Sequence, residues 1–196
     1  MILNLESGGF MKLAPNRFDA EFDAQSEKPG EQRLEKMVSG RYMGELFGMA
    51  IAELLGEKGK KYGFTSIDMS NIILDETAGL SEVGRIVSAK TGHDLEEVDR
   101  QRLQELASAL VVRSARLVTA TYVGIIWQLA GDEAIKKQHI AIDGSVYEKM
   151  PLAKENIMRA LSELLGELAP LVDTVLENGG SGLGAAIAAA MSQQQA

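Results

Sequence analysis

The chain has 196 residues, 45% of them apolar, enough for one domain or one and a half with a substantial core. Its formal charge of -8 argues against a nucleic-acid partner and against an anionic membrane surface. There is no cysteine and there are only two histidines, His93 and His139, so thiolate chemistry is excluded and a His-rich metal site is not expected.

In chain order, residues 1–6 read as a short strand stopped by Ser7, Gly8 and Gly9. The opening lacks a basic start, so it is not read as a secretory signal, and no stretch approaches the ~20 apolar residues of a membrane span. A cytoplasmic protein is the default expectation. Residues 10–28 are polar and read as irregular. A helix is expected over residues 30–56, because Leu34, Met37, Val38, Tyr42, Leu46, Ala50 and Leu54 repeat on the helical period. Pro29 stands near its start, where a missing N–H costs nothing, and Gly56, Gly59 and Gly63 are stop signals.

Shorter helices are expected over residues 66–76 and 81–90. A second long helix follows over residues 98–130, with Leu103, Leu106, Leu110, Val111, Leu117, Val118, Ile125 and Leu129 on its inner face. At ~1.5 Å per residue it would run about 45 Å, which leaves room for a bend. Strands are expected at 139–143 and 171–177, with a helix between them over 152–168. A Gly-rich loop at 178–184 opens a last helix over 185–193. Strand, helix, strand, Gly-rich turn and helix make an α/β ending. The chain divides at this level into 1–136, mainly helical, 137–184, and the terminal helix.

Several residues could carry chemistry. The loop holding Gly180, Ser181, Gly182 and Gly184 lets backbone approach an anion closely, or it is a flexible joint. Asp143, Gly144 and Ser145 lie at a strand's carboxyl end, where α/β sheets collect ligands. A plain turn, with Asp143 satisfying backbone amides, is the competing reading. Glu6 and Glu35 are acceptor-only groups suited to a polyol, or solvated flanks of their elements. His93 and His139 have no evident partner, the methionines read as core filler, and Trp127 is expected to pack.

Four stretches together resemble the hexokinase family, in order and over nearly the whole chain: MILNLESG at 1–8, LEKMVSGRYMGEL at 34–46, IDGSVYEKMP at 142–151 and GSGLGAA at 180–186. The resemblance is to the carboxy-terminal part of the family's large domain, and it implies an actin-like, ribonuclease-H-like ATPase fold. It implies that Glu6 and Glu35 hold sugar hydroxyls, with Asn4 and Gly8 shaping the first. Asp143, Gly144, Ser145, Gly180, Ser181, Gly182 and Gly184 would border ATP, brought with Mg²⁺. Arg113 matches a family arginine but is given no ligand contact. Three positions depart from the pattern: Ser7 replaces a usual Trp, Gly179 an acidic residue, and Leu183 a longer or basic one.

The family's phosphate hairpin, its sugar-recognition segment and its Asn-Asp-Thr base have no match here. Asp173 and Thr174 lie in the last strand and read as structural. The expectation is one wall of a hexose kinase cleft, with no catalytic residue and no protein-held metal in these residues, inactive by itself. The apolar run 185–191 would associate with another copy or with a chain carrying the missing small domain. A non-catalytic sugar or nucleotide sensor and a structural remnant are the competing readings.

Overall fold

A computed structural model describes residues 5–131 and 133–177, together with Gly179, Gly182 and Gly184. Asn4, Gly180, Ser181 and the whole of the expected last helix over 185–193, with its apolar run 185–191, lie outside the described residues. The eight helices of the described residues are α1 (Arg17–Gln25), α2 (Arg33–Val38), α3 (Gly40–Leu54), α4 (Ser66–Ile73), α5 (Ser81–Thr91), α6 (Glu97–Ala130), α7 (Ser145–Lys149) and α8 (Ala153–Leu165). Strands β1 (Gln138–Ile142) and β2 (Val172–Leu176) pair in parallel, His139 opposite Asp173 and Ile142 opposite Leu176.

Three expectations need correction at the amino-terminal side. Leu5 and Glu6 are not in a strand; Glu6 is left-handed and leads into a 3-10 turn at Ser7–Gly9. The polar segment after it contains α1, whose start is fixed by a reciprocal cap. The Asn16 side chain accepts from the Asp19 N–H at 2.9 Å, and the Asp19 carboxylate accepts from the Asn16 N–H at 3.0 Å. The helix expected over 30–56 is two helices, because Ser39 is extended (φ -75, ψ 147) between α2 and α3.

Glycine decides how α3 packs. Gly40, Gly44 and Gly48 recur every four residues and so share a face. A Cβ on Gly44 would lie 2.5 Å from the Phe64 carbonyl oxygen and 2.7 Å from Thr65 Cα, so only backbone fits there. The face carries Phe64, which meets Phe47 edge to face with ring centroids 5.4 Å apart.

Helix α6 is unbroken over 34 residues and serves two cores. Leu103, Ala107 and Val111 join Met43, Phe47, Ile51, Met69, Ile72, Val83 and Val87 in one cluster. Ala115, Val123 and Ile126 join Ile142, Tyr147, Ile157, Leu161 and Val172 in the other. Its buried face is built of smaller residues than the leucine pattern implied: Ala107, Ser114, Ala115 and Thr119 are buried, whereas Leu129 and Trp127 are 63% and 49% exposed. Trp127 therefore does not pack as expected. By length and composition alone α6 is apolar enough to cross a membrane, which corrects the reading that no stretch approaches a span. Here the helix is the spine against which α2, α4 and α8 pack.

Candidate functional site

The turn carrying Glu6 sits on the helix carrying Glu35. A Cβ on Gly8 would lie 3.2 Å from Glu35 Cβ, 3.7 Å from Glu35 Oε2 and 3.0 Å from Gln32 Oε1. Both carboxylates are exposed, and Gly8 of the Glu6 turn lies against the Glu35 side chain. Glu6 (φ 44, ψ 47) and Gln32 (φ 50, ψ 44) are both left-handed without being glycine. Such a backbone costs on the order of 1 kcal/mol per residue and persists where the surroundings dictate it. Two strained residues here bracket one small area of surface.

Helix α2 is six residues long, too short to hold itself in water. Side chains pin it from three directions. Arg33 Nη1 donates to the carbonyls of Met11 at 2.6 Å and Leu13 at 3.3 Å. The buried Lys36 ammonium donates to Asp23 Oδ1 at 2.5 Å and to the Lys28 carbonyl at 2.6 Å. Its hydrogen bond, with that from the Gly30 N–H, holds the Asp23 carboxyl below the usual carboxylate range against the opposing effect of burial. At the end of α2, Ser114 Oγ donates to the Val38 carbonyl at 2.7 Å and Arg113 Nη2 to the Met37 carbonyl at 3.5 Å.

The second group of expected residues lies at the carboxyl end of β1. Asp143, Gly144 and Ser145 are all exposed. Gly144 has φ 153, ψ 143, a conformation that side chains rarely adopt, and nothing lies within 4 Å of where its Cβ would be. The Glu177 N–H bonds to the Ile142 carbonyl at 2.9 Å, so β2 ends beside this turn. Gly182 and Gly184 beyond it are exposed, and Gly179 is left-handed (φ 76) where the family usually has an acidic residue. Val146, one residue past Ser145, reaches across to Gly40 at the start of α3.

Comparison with known proteins matches this arrangement to one family. The model of the family described as Hexokinase matches residues 1–191. This chain belongs to the hexokinase family. It is 31% identical to Hexokinase-2 of Candida albicans over 100% of its own length and 43% of that protein's. It is 32% identical to Hexokinase-1 of Oryza sativa subsp. japonica, again over 100% and 43%. A crystal structure of hexokinase superposes with TM-score 0.76 at 25% identity, covering 91% of this chain and 41% of that one. A hexokinase from Schistosoma mansoni, complexed with glucose, shares the fold with TM-score 0.74 at 22% identity, over 91% and 42%. The chain thus spans less than half the length of these relatives and corresponds to the carboxy-terminal large-domain portion of the actin-like ATPase fold.

Within this hexokinase region, other residues fall differently from the sequence reading. His93 and His139 do have partners: His93 Nε2 lies 3.4 Å from Glu57 Oε1, and His139 Nδ1 lies 2.5 Å from Asp173 Oδ1 across the strand pair. Thr174 meets the Tyr147 hydroxyl at 2.7 Å, which ties β2 to α7. Arg113 contacts no site carboxylate; it donates to Asp19 Oδ1 and Oδ2 at 2.9 and 3.0 Å. Gln32 was missed. Its left-handed backbone and its amide against Gly8 place it beside the Glu6 turn and Glu35, and no periodicity marks such a residue. A groove of about 720 Å³ opens beside it between α1, α3 and the 60–66 segment. Gln32 borders that groove, whereas Glu6 and Glu35 do not.

Proposed function

We propose that this chain supplies one wall of the cleft of an ATP-dependent hexose kinase, with Glu6 and Glu35 accepting hydrogen bonds from hydroxyls of a hexose such as glucose. The observation that carries the reading is the contact of Gly8 with Glu35, which lays the Glu6 turn on α2. An ionised carboxylate offers only acceptors, and a hexose presents a ring of O–H donors. Gln32 adds an amide with both a donor and an acceptor to the same area, and Asn4 belongs to the proposed sugar side through the resemblance.

Asp143, Gly144 and Ser145, with Gly180, Ser181, Gly182 and Gly184, form the proposed nucleotide side. The exposed hydroxyl and carboxylate and the open Gly144 backbone suit a phosphate chain and its cation. Among the described residues no cluster of three or more His, Asp or Glu could hold a metal. The exposed Asp143 carboxylate suits a Mg²⁺ carried by nucleotide phosphates, which needs only one or two protein carboxylates. Bound Mg-ATP supplies the phosphoryl group and much of the charge neutralisation. The chain's own residues orient the sugar, present open backbone to the phosphates and form a wall from which water is excluded when the cleft closes.

The general base and the first phosphate hairpin of the family have no counterpart in these residues. The isolated chain is therefore proposed to bind without turning over. Calorimetric titration with glucose and with Mg-ATP tests the reading, followed by an activity assay with a separately made small-domain segment. Binding of at least one ligand, with activity only on complementation, is the expected result. Binding without complementation marks a sensor, and binding of neither marks a structural remnant; both reject the split-kinase reading.

A further inference from the structure

We infer that Arg113, through its pair with Asp19, is the positioning residue for Glu35. Nothing in the sequence assigns it a role, and its contacts are to Asp19 and to the Met37 carbonyl at the carboxyl end of α2. Three observations carry the inference. Asp19 is 6% exposed, and its carboxylate does two jobs: it caps α1 through the Asn16 N–H and receives Arg113 Nη1 on both oxygens. Arg113 Nη2 reaches the Met37 carbonyl, while the next residue, Ser114, reaches the Val38 carbonyl. Among the described residues Arg113 Nε is buried without a partner, so the guanidinium is held where it is by its two outer nitrogens despite an unsatisfied group.

The consequence follows from the size of α2. A helix of six residues leaves most of its carbonyls without an internal partner, and two of the last are taken by α6 side chains. A cation at a helix carboxyl end is also favoured by the macrodipole. Glu35 sits in the first turn of that helix, and its own carbonyl accepts from the Ser39 N–H at 2.9 Å. Arg113 therefore fixes α2 against the long, rigid α6 and against α1 together. A buried ion pair contributes little to stability compared with apolar residues of the same shape, so its worth here is geometric. Loss of the fork frees α2 to shift, and Glu35 shifts with it.

The fork can be tested without removing the charge. Arg113→Lys keeps a cation for Asp19 but cannot also serve the Met37 carbonyl with a second rigid donor. Native-state hydrogen exchange on the full chain reads the result at single amides. At least about tenfold faster exchange is expected at the Lys36 and Ser39 amides, with the Met69 and Val87 amides unchanged. Arg113→Met is the stronger variant; if it does not fold, Arg113→Lys decides. Uniform acceleration, or none, overturns the inference, because a merely structural residue moves all amides together.

A glucose titration forms the second arm and rests on the hexose reading of Glu35. Weaker binding by Arg113→Lys at unchanged unfolding temperature is expected. Equal affinity in wild type and variant overturns the positioning role. Absence of binding by wild type rejects the hexose reading instead, and the exchange result still decides the claim about α2.

Discussion

Gly40 lies against Val146: a Cβ on Gly40 would come within 2.8 Å of Val146 Cγ2. Gly40 follows the break that ends the Glu35 helix, and Val146 follows Asp143, Gly144 and Ser145. This backbone-to-methyl contact, with the packing of Met150 in the same core as Met43 and Phe47, therefore joins the proposed sugar and nucleotide sides. Gly40→Ala should displace α7 and the turn before it. We expect a loss of about 1–3 kcal/mol in urea unfolding, with Val146→Ala in the same chain restoring most of it. Failure of the second substitution to compensate counts against a direct contact.

At Gly44 the conflict is with backbone rather than with a movable methyl. Gly44→Ala should cost at least about 1–3 kcal/mol, because the Phe64 carbonyl cannot move without shifting the start of α4. Gly124 on α6 supplies the control. It has nothing within 4 Å, and Gly124→Ala should stabilise by about 0.5–1 kcal/mol through helix propensity alone. Opposite signs for the two changes in chemical denaturation are the expected outcome.

The proposed sugar carboxylates make a sharper claim. Glu35→Gln preserves size and removes the charge. Hydrogen bonds to charged groups contribute about 1.5–3 kcal/mol, so glucose affinity should fall roughly ten- to a hundredfold. Glu35 is exposed, so the unfolding temperature should hardly change. Glu6→Gln should act alike. A variant that binds glucose as wild type does removes Glu35 from the proposed site.

Acid sensitivity follows from carboxylates that the fold depresses. Asp75 is 6% exposed; burial pushes its carboxyl up, yet hydrogen bonds from Thr77 and from the Val83 N–H overcome this and hold it low. Asp23 is held low chiefly by the hydrogen bond from Lys36. Groups depressed in the folded state stabilise fully above their unfolded value and lose that contribution as pH falls through the folded one. Stability should therefore hold above about pH 4–5 and drop below it. Asp75→Asn should flatten the profile there, measured as unfolding free energy from pH 7 to pH 2.

Much of the fold was legible in the residues. The boundaries of α4, α5, β1 and β2 follow from apolar period and Gly stops, each within about three residues of where the structure puts it. Helix α1 was hidden by its charge, although Asn16 and Asp19 carried the cap signal. The break at Ser39 was hidden because the apolar stripe stays in phase on either side of it. The inner face of α6 was read correctly at Leu103 and Val111, but Ala107, Ala115 and Thr119 were left out because close packing selects small residues, whereas periodicity weights large apolar ones.

The sequence by itself determined the family, the elements from α4 onward and, apart from Gln32, the residues proposed to face ligand, because short motifs in fixed order survive as text. Which of them meet was decided only by tertiary structure. Gly8 against Glu35, Gly40 against Val146 and Arg113 against Asp19 join residues that the chain separates by 27, 106 and 94 positions. Such contacts depend on the absence of a Cβ or on a buried charge finding its partner. Neither has a period along the chain, so neither can be read from one.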